Sequence, residues 1–534
     1  PNNIRQLKQA GVGFVKENKR FYPNCEMASQ VLGFTGMDPK GLEGIERRYD
    51  ATNLGSTGYL MTERDALGRD ISVRNAVVRD ATPGKNLYLT LDKNIQYFAE
   101  KELAKAVLDS RAKSGMALVA DPATGKILAM ANYPTFNPNS FRQYPTVQLR
   151  NRCVADSFEP GSTFKVFLLS AALEEKLVQP QDGINCENGR YSFSGRIIRD
   201  DHPHARVSVA EVLKYSSNIG SAKIGLKLGD DRLYRYLKAF GFGEKSEIDL
   251  PGEASGSLRP VSRWYGTDIA TISFGQGVSA TALQLVAATS AVANGGMLMK
   301  PYLVERVTDS NGQELQQIAP QPVRRVISAQ TAATIARMME GVTQKGGTGT
   351  NAAIEGFRVA GKTGTAQKVD PVSKGYSATK RTASFIGFVP ADKPLLTILV
   401  VIDEPSTSPY GGVVAAPAFR EIAYNTLCYL KASTAGNICE LPTPKQYAEQ
   451  TEQPKAAQDT TIAAAEGGSI DAAGSGTAMP DFSGMSMRRV LQVMEKRQLN
   501  LQVRGSGRVI EQHPKPGQVI RGTDEIWVRL SPSA

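Results

Sequence analysis

The chain has 534 residues, a formal net charge of +11, 41% hydrophobic and 22% charged residues. That length exceeds one ordinary domain, and the composition excludes a disordered or collagen-like chain. With no Lys/Arg run and no basic stripe interleaved with aromatics, nucleic-acid binding is excluded; the mild basic excess reads as a solvated face, with an anionic wall or membrane surface as the functional alternative.

The five cysteines, Cys25, Cys153, Cys186, Cys428 and Cys439, form no Cys-x-x-Cys pair, and with only three histidines they argue against a zinc site. They read as buried free thiols, Cys428 and Cys439 being the nearest pair for a disulfide in an exported chain. No stretch approaches the roughly 18 apolar residues of a membrane span. The chain opens Pro1-Asn2-Asn3 without Met. It therefore reads as a piece from which an N-terminal targeting or anchoring segment has been removed.

In chain order, residues 1–90 mix short strand-like runs with glycine turns and contain Gly41-Leu42-Glu43-Gly44-Ile45-Glu46-Arg47-Arg48-Tyr49-Asp50. Asp92 can cap a helix whose apolar residues Ile95, Phe98, Ala99, Leu103 and Ala106 recur at helical spacing. A hairpin follows: Met116–Ala120, the turn Asp121-Pro122-Ala123-Thr124-Gly125, then Ile127–Ala131. Residues 150–300 read as mostly helical. Phe357–Ala360, Thr382–Val389 and Leu395–Ile402 read as strands, the last two joined by the turn Ala391-Asp392-Lys393-Pro394. Strands packed with a helical block predict an α+β domain. Residues 441–478 hold almost no large apolar side chain and read as a flexible linker. Beyond it, a helix pattern (Val490, Leu491, Val493, Met494) and two strand patterns (Leu501–Arg504, Glu525–Leu530) predict a small βαβ-like domain.

Three short segments carry candidate chemistry. In Glu159-Pro160-Gly161-Ser162-Thr163-Phe164-Lys165 a turn runs into an apolar helix, placing Ser162 at its start and Lys165 on the same face. A serine hydroxyl needs a base, a desolvated lysine can be one, and a helix start favours developing negative charge. Ser110 and Lys113 share the spacing but lack that turn-to-helix context, and read as a surface pair or a cap. Tyr215-Ser216-Ser217-Asn218 follows a helix opened by a capping box, Ser208 with Glu211. Ser216 can relay a proton, and Asn218 can hold both the lysine and a substrate amide. Gly361-Lys362-Thr363-Gly364-Thr365 lies in strand-like sequence and is expected on an edge strand. There Lys362 supplies a fixed positive charge for a carboxylate, Gly364 admits a close peptide backbone, and Thr365 offers a hydroxyl and an N–H. His202, His204, Asp200 and Asp201, between the first two segments, read as a polar loop rather than a metal site.

Ser-x-x-Lys, Ser-x-Asn and Lys-Thr-Gly in this order resemble the motif set of penicillin-binding proteins and serine β-lactamases. Gly275-Gln276-Gly277, Ala293-Asn294-Gly295-Gly296, Gly346-Gly347-Thr348-Gly349 and Ser384-Phe385-Ile386-Gly387-Phe388-Val389-Pro390 extend the resemblance. Arg20-Phe21-Tyr22-Pro23 and Gly41–Asp50 resemble the non-catalytic pedestal of class B enzymes, and Met479-Pro480-Asp481-Phe482-Ser483-Gly484-Met485, with Val509, Gln512, Pro514, Pro516 and Gly517, a PASTA domain.

The resemblance implies a penicillin-binding transpeptidase fold: an antiparallel sheet with helices on both faces, an all-helical subdomain, an elongated N-terminal pedestal and a small βαβ-like C-terminal domain. It implies a pedestal over 1–90, a catalytic domain over 91–435, a linker over 436–478 and a PASTA-like domain over 479–534. Ser162 would be the acylated nucleophile, Lys165 its base, and Ser216 the relay. Asn218, Lys362, Thr363, Gly364 and Thr365 would bind substrate, with the N–H groups of Ser162 and Thr365 as oxyanion hole. No metal or organic cofactor is implied. The implied partners are D-Ala-D-Ala stem peptides, an amine acceptor, β-lactams, and division or wall-synthesis membrane proteins including a glycosyltransferase. The implied place is the outer side of the cytoplasmic membrane, with an N-terminal membrane anchor, and the implied role is septal wall synthesis.

Between Asn218 and Lys362 no Glu-x-x-Leu-Asn occurs. This argues against a β-lactam-hydrolysing or sensing protein. The stretch ahead of the catalytic region is too short for a glycosyltransferase domain of ordinary size. The intact motifs argue against a scaffold with vestigial catalytic residues.

Overall fold

The computed structural model describes residues 19–38, 40–53, 82–369 and 375–430, with short segments between 55 and 79, between 433 and 438 and between 479 and 531. Contacts divide the chain into two units, Pro1–Gln446 and Tyr447–Ala534.

The first unit is built on a five-stranded antiparallel sheet. Its strands are β1 (Ser114–Ala120), β2 (Ile127–Tyr133), β3 (Ala360–Val369), β4 (Tyr376–Val389) and β5 (Leu396–Asp403). They lie side by side in the order β3-β4-β5-β1-β2. β3 is therefore an edge strand, as expected for the Lys-Thr-Gly segment, though it begins only at Ala360 and not at Phe357. The central strands read as continuous apolar runs because both faces are covered. In β1, Met116, Leu118 and Ala120 join one core and Ala117 and Val119 the other. In β5, Leu399 and Val401 alternate in the same way with Ile398, Val400 and Ile402.

Helix α1 (Lys93–Asp109) covers one face and is capped as expected, with Asp92 accepting from the N–H groups of Asn94 and Ile95. Its Ile95, Ala99, Leu103 and Val107 pack there with Phe419 and Ile422 of α7 (Ala416–Tyr429). The other face carries α2 (Lys165–Glu174), α3 (Val209–Lys214), α4 (Asn218–Leu228), α5 (Ala282–Ala293) and α6 (Ala329–Thr343).

This second block is not purely helical. Gly183–Asn185 pairs with Arg206–Ser208, and Arg190–Phe193 with Arg196–Arg199. The latter hairpin turns at Ser194 and Gly195, with φ of 48° and 75°. Two consecutive positive φ values are what a two-residue hairpin turn demands, and Ser-Gly between two alternating runs is its sequence signal.

In the N-terminal part, Gly41–Asp50 contains the short helix Gly44–Arg48 and is a packing element. The Gly41 N–H donates to Asp50 Oδ1 at 2.7 Å, Glu46 pairs with Arg20 at 2.8 Å, and the Tyr49 hydroxyl donates to Asp249 Oδ2 at 3.3 Å.

The cysteine expectation needs correcting. Cys153 and Cys186 are buried thiols and Cys25 an exposed one, but Cys428 is disulfide-bonded. Cys439 lies outside the described residues. No helix among the described residues is long and apolar enough to cross a membrane.

The second unit holds a three-stranded sheet in which Trp527–Ser531 runs parallel to Gln502–Gly505 and antiparallel to Arg508–His513. The two expected strands are present, and Arg508–His513 is an addition. Gln512 ties the sheet to the unit's first segment, donating to the Pro480 carbonyl at 2.8 Å and accepting from the Phe482 N–H at 2.7 Å. The linker 441–478, the helix pattern at Val490–Met494, and Gly484, Met485 and Gly517 lie outside the described residues.

Candidate active site

The nucleophile candidate sits where a turn becomes a helix. Gly161–Phe164 forms a single 3₁₀ turn that passes straight into α2. Gly161 has φ +55°, and a Cβ there would stand 2.8 Å from the Thr365 carbonyl. Glycine is thus required both by the backbone and by the closeness of β3. One turn of helix brings Lys165 back under Ser162, with Nζ 3.0 Å from Oγ.

Ser216 lies between α3 and α4. The Ser208–Glu211 capping box opens α3 as expected, and Ser217 caps α4 by accepting from the Gly220 N–H. Ser216 itself has φ +61°, left-handed for a non-glycine residue. Its carbonyl and Oγ both accept from Lys165 Nζ. Asn218 Oδ1 accepts from the same nitrogen at 2.8 Å, while its Nδ2 donates to the Arg199 carbonyl at 2.9 Å.

On β3, Lys362 Nζ donates to Ser216 Oγ at 2.9 Å, to the Thr363 carbonyl at 3.0 Å and to Thr363 Oγ1 at 3.2 Å. Ser216 Oγ therefore bridges two lysines, each 0% exposed. Burial pushes the Lys165 ammonium down to about 7, opposed by the charges of Asp200 and Asp201. Burial, reinforced by Lys165, pushes Lys362 well below its ordinary range. Four acceptors surround Lys165 Nζ, and an ammonium has only three protons. The neutral amine, with two protons and one lone pair, can instead take a hydrogen bond from the Ser162 hydroxyl, which is the arrangement a general base requires.

Sequence reasoning gave Lys362 the role of a fixed positive charge for a substrate carboxylate. In the structure its side chain is fully buried against Ser216 and Thr363. Thr363 and Thr365, with Ser162, Ser216, Asn218 and Arg381, are among the residues lining a cleft of about 580 Å³. Gly364 lies beneath Gly411, where a Cβ on Gly411 would stand 2.0 Å from the Ser384 carbonyl and 2.6 Å from that of Gly364. We expect Gly411→Ala to force the strand and its cover apart, costing about 1–3 kcal/mol of stability and slowing reaction at Ser162. Thermal melting together with a labelled-penicillin time course checks this.

Asp200 was missed. It looked like part of a polar loop, yet it ends the Arg190–Arg199 hairpin and clamps the start of α4. Its carboxylate accepts from the Ser217 hydroxyl at 2.6 Å and from the N–H groups of Asn218 at 2.5 Å and Ile219 at 3.0 Å. The available signal was the Ser194-Gly195 hairpin, which delivers Asp200 to a helix start, where a carboxylate is favoured. Asp200→Asn is expected to slow reaction at Ser162 about tenfold by weakening charge-assisted bonds. It should also move the rising limb of the rate–pH profile to lower pH, because the lost negative charge no longer favours protonated Lys165. Stopped-flow acylation between pH 5 and 9 checks both (range set around the Lys165 value of about 7).

Glu159 ties the nucleophile turn to its surroundings, accepting from the Gly277 N–H at 2.9 Å and the Tyr376 hydroxyl at 3.0 Å. His204 stacks on Tyr215 with ring centroids 4.7 Å apart. Among the described residues no three His, Cys, Asp or Glu side chains stand together as metal ligands.

Comparison with known proteins adds the following. Three family patterns match: "Penicillin binding protein transpeptidase domain" over residues 115–424, "Penicillin-binding Protein dimerisation domain" over 3–89 and "PASTA domain" over 477–532. The chain is 34% identical to the stage V sporulation protein D of Bacillus subtilis, over 99% of this chain and 78% of that one. It is 35% identical to the peptidoglycan D,D-transpeptidase FtsI of Escherichia coli, over 78% of this chain and 68% of that one. The crystal structure of penicillin binding protein 3 of Mycobacterium tuberculosis complexed with aztreonam is similar, with TM-score 0.70 and 31% identity over 79% of this chain and 93% of that one.

Proposed function

The chain belongs to the penicillin-binding protein transpeptidases of class B, and from that premise we propose that it cross-links peptidoglycan stem peptides through an acyl-enzyme on Ser162. It is a peptidoglycan D,D-transpeptidase; the residue roles are our reading. The observation that carries them is the contact of a buried lysine, held near neutrality, with the Ser162 hydroxyl at 3.0 Å.

In this reading Lys165 takes the Ser162 proton as Oγ attacks the carbonyl between the two terminal D-alanines. The N–H groups of Ser162 and Thr365 hold the oxyanion. Ser216, bridging both lysines, passes the proton to the departing amine, and D-alanine leaves. The amine of a second stem peptide then attacks the ester, its proton returns by the same path, and the Ser162–acyl bond breaks. Asn218 orients Lys165 and the substrate amide. Thr363, Gly364 and Thr365 present the edge strand to an extended peptide. β-Lactams acylate the same serine and leave slowly.

The proposed division is a pedestal over 1–90, a catalytic domain over 91–435, a linker over 436–478 and a PASTA-like domain over 479–534. We place this work in septal wall synthesis, beside membrane partners that include a glycosyltransferase; likeness to a peptidoglycan D,D-transpeptidase and to a sporulation protein supports the wall-building part of that reading. The disulfide at Cys428 suits an oxidising compartment outside the cytoplasm, where we place the chain with an N-terminal membrane anchor.

Mass spectrometry after brief exposure to a penicillin tests the reading. A persistent adduct on the Ser162 peptide, absent from Ser162→Ala, is expected. An adduct elsewhere, or none, overturns it, and an adduct lost within seconds points to a hydrolase.

A further inference from the structure

The hydroxyl chain that begins at Ser162 does not end at the Lys-Thr-Gly segment. Lys362 Nζ donates to Thr363 Oγ1 at 3.2 Å, and Thr363 Oγ1 stands 2.8 Å from Thr348 Oγ1. Thr348 belongs to Gly346-Gly347-Thr348-Gly349, a segment that none of the three motifs contains. It follows α6 and is held in place: the Gly349 N–H donates to the Val342 carbonyl at 2.9 Å, and Asn351 Nδ2 donates to the Gly412 carbonyl at 2.8 Å. Thr348 and Thr363 both line the cleft, whereas Lys362 does not.

Proton counting gives this contact a direction. When Lys362 is charged, it spends its three protons on Ser216, the Thr363 carbonyl and Thr363 Oγ1. Thr363 then accepts from the lysine, and its own proton points to Thr348. When Lys362 is neutral, the two hydroxyls reverse: Thr348 donates to Thr363, and Thr363 donates to the Nζ lone pair. Each protonation state of a buried lysine thus keeps its partners satisfied, at the cost of two hydroxyl rotations and no movement of heavy atoms. Unsatisfied, either state would leave a buried polar group exposed to the full desolvation penalty. No bond other than O–H and N–H is remade, and no reactant beyond the substrates is needed.

We propose that Thr348 is a positioning residue for the acyl-transfer reaction: its hydroxyl holds the Thr363 hydroxyl against Lys362 and connects that buried lysine to the cleft. The inference rests on the acyl-enzyme reading given above and extends it by one residue.

The test is the full chain carrying Thr348→Val, which keeps the shape and removes the hydroxyl, beside Thr348→Ser, which restores the hydroxyl and removes a methyl. Stopped-flow acylation by benzylpenicillin separates initial binding from the limiting acylation rate. The limiting rate of Thr348→Val is expected to fall about tenfold, the size of one buried hydroxyl–hydroxyl hydrogen bond, with initial binding little changed. Thr348→Ser is expected to recover most of that loss. A wild-type rate in Thr348→Val overturns the inference. So does a Thr348→Ser rate as slow as that of Thr348→Val at an unchanged melting temperature, since shape rather than the hydroxyl would then be the cause. These failures differ from failure of the underlying reading, in which the wild-type protein itself acquires no adduct on Ser162.

Discussion

Replacing Lys165 with glutamine is expected to slow acylation of Ser162 by roughly 10²- to 10⁴-fold, the contribution of a positioned general base. Glutamine is one bond shorter but keeps an NH2 end that can donate to the Ser216 carbonyl and to Asn218 Oδ1, so at an unchanged melting temperature the loss reports the missing base and not a collapsed site. In the wild-type protein the rate should climb with pH through about 7, where burial has moved the Lys165 ammonium. The deprotonated amine is the active form, so the limb rises with pH. It should vanish in Lys165→Gln. Stopped-flow acylation by a chromogenic cephalosporin across that range measures both effects; a glutamine variant that retains the limb would assign the base elsewhere.

Lys362→Met should separate function from stability. Acylation is expected to fall at least about 10²-fold, because Ser216 loses one of the two donors that orient it. The fold should nevertheless gain stability, by about 1–4 kcal/mol on the pattern of buried charged groups replaced by apolar ones. Two of the three groups bonded to Lys362 keep other partners: Ser216 Oγ keeps Lys165, and Thr363 Oγ1 keeps Thr348. Burial, with Lys165 adding to it, lowers the folded-state value of Lys362 below its ordinary 10.5. Below that ordinary value the unfolded chain binds the additional proton, so the wild-type protein gains stability as pH rises toward it. The advantage of Lys362→Met should therefore be largest near neutrality and shrink toward pH 10. Melting curves over this window decide the matter, and a destabilised variant would show that hydrogen bonds at Lys362 outweigh its burial.

The lysine cluster illustrates a stability–activity conflict common at active sites. Two buried amines share one hydroxyl, that of Ser216, whose own backbone is left-handed. Each feature costs stability, and each follows from bringing three chain segments to one point. The sheet and helices absorb the cost with two continuous cores on either face.

Much of this molecule is determined by its sequence alone. The Ser-x-x-Lys, Ser-x-Asn and Lys-Thr-Gly segments are local patterns whose flanking turns and helices also follow local rules. Asp92 and the Ser208–Glu211 box cap helices through contacts two or three residues away, so the caps were readable. The runs Thr382–Val389 and Leu395–Ile402 announced the strands β4 and β5. Tertiary structure alone decided the rest. Burial depends on what packs from elsewhere, so the sequence could not show that Lys362 is fully buried, nor bring Lys165 to about 7. Asp200 and Thr348 reach the site across long sequence separations. Their partners are backbone N–H groups and a hydroxyl, which carry no sequence signature. The disulfide at Cys428 likewise depends on where the chain brings sulfur atoms, a distance that residue spacing does not set.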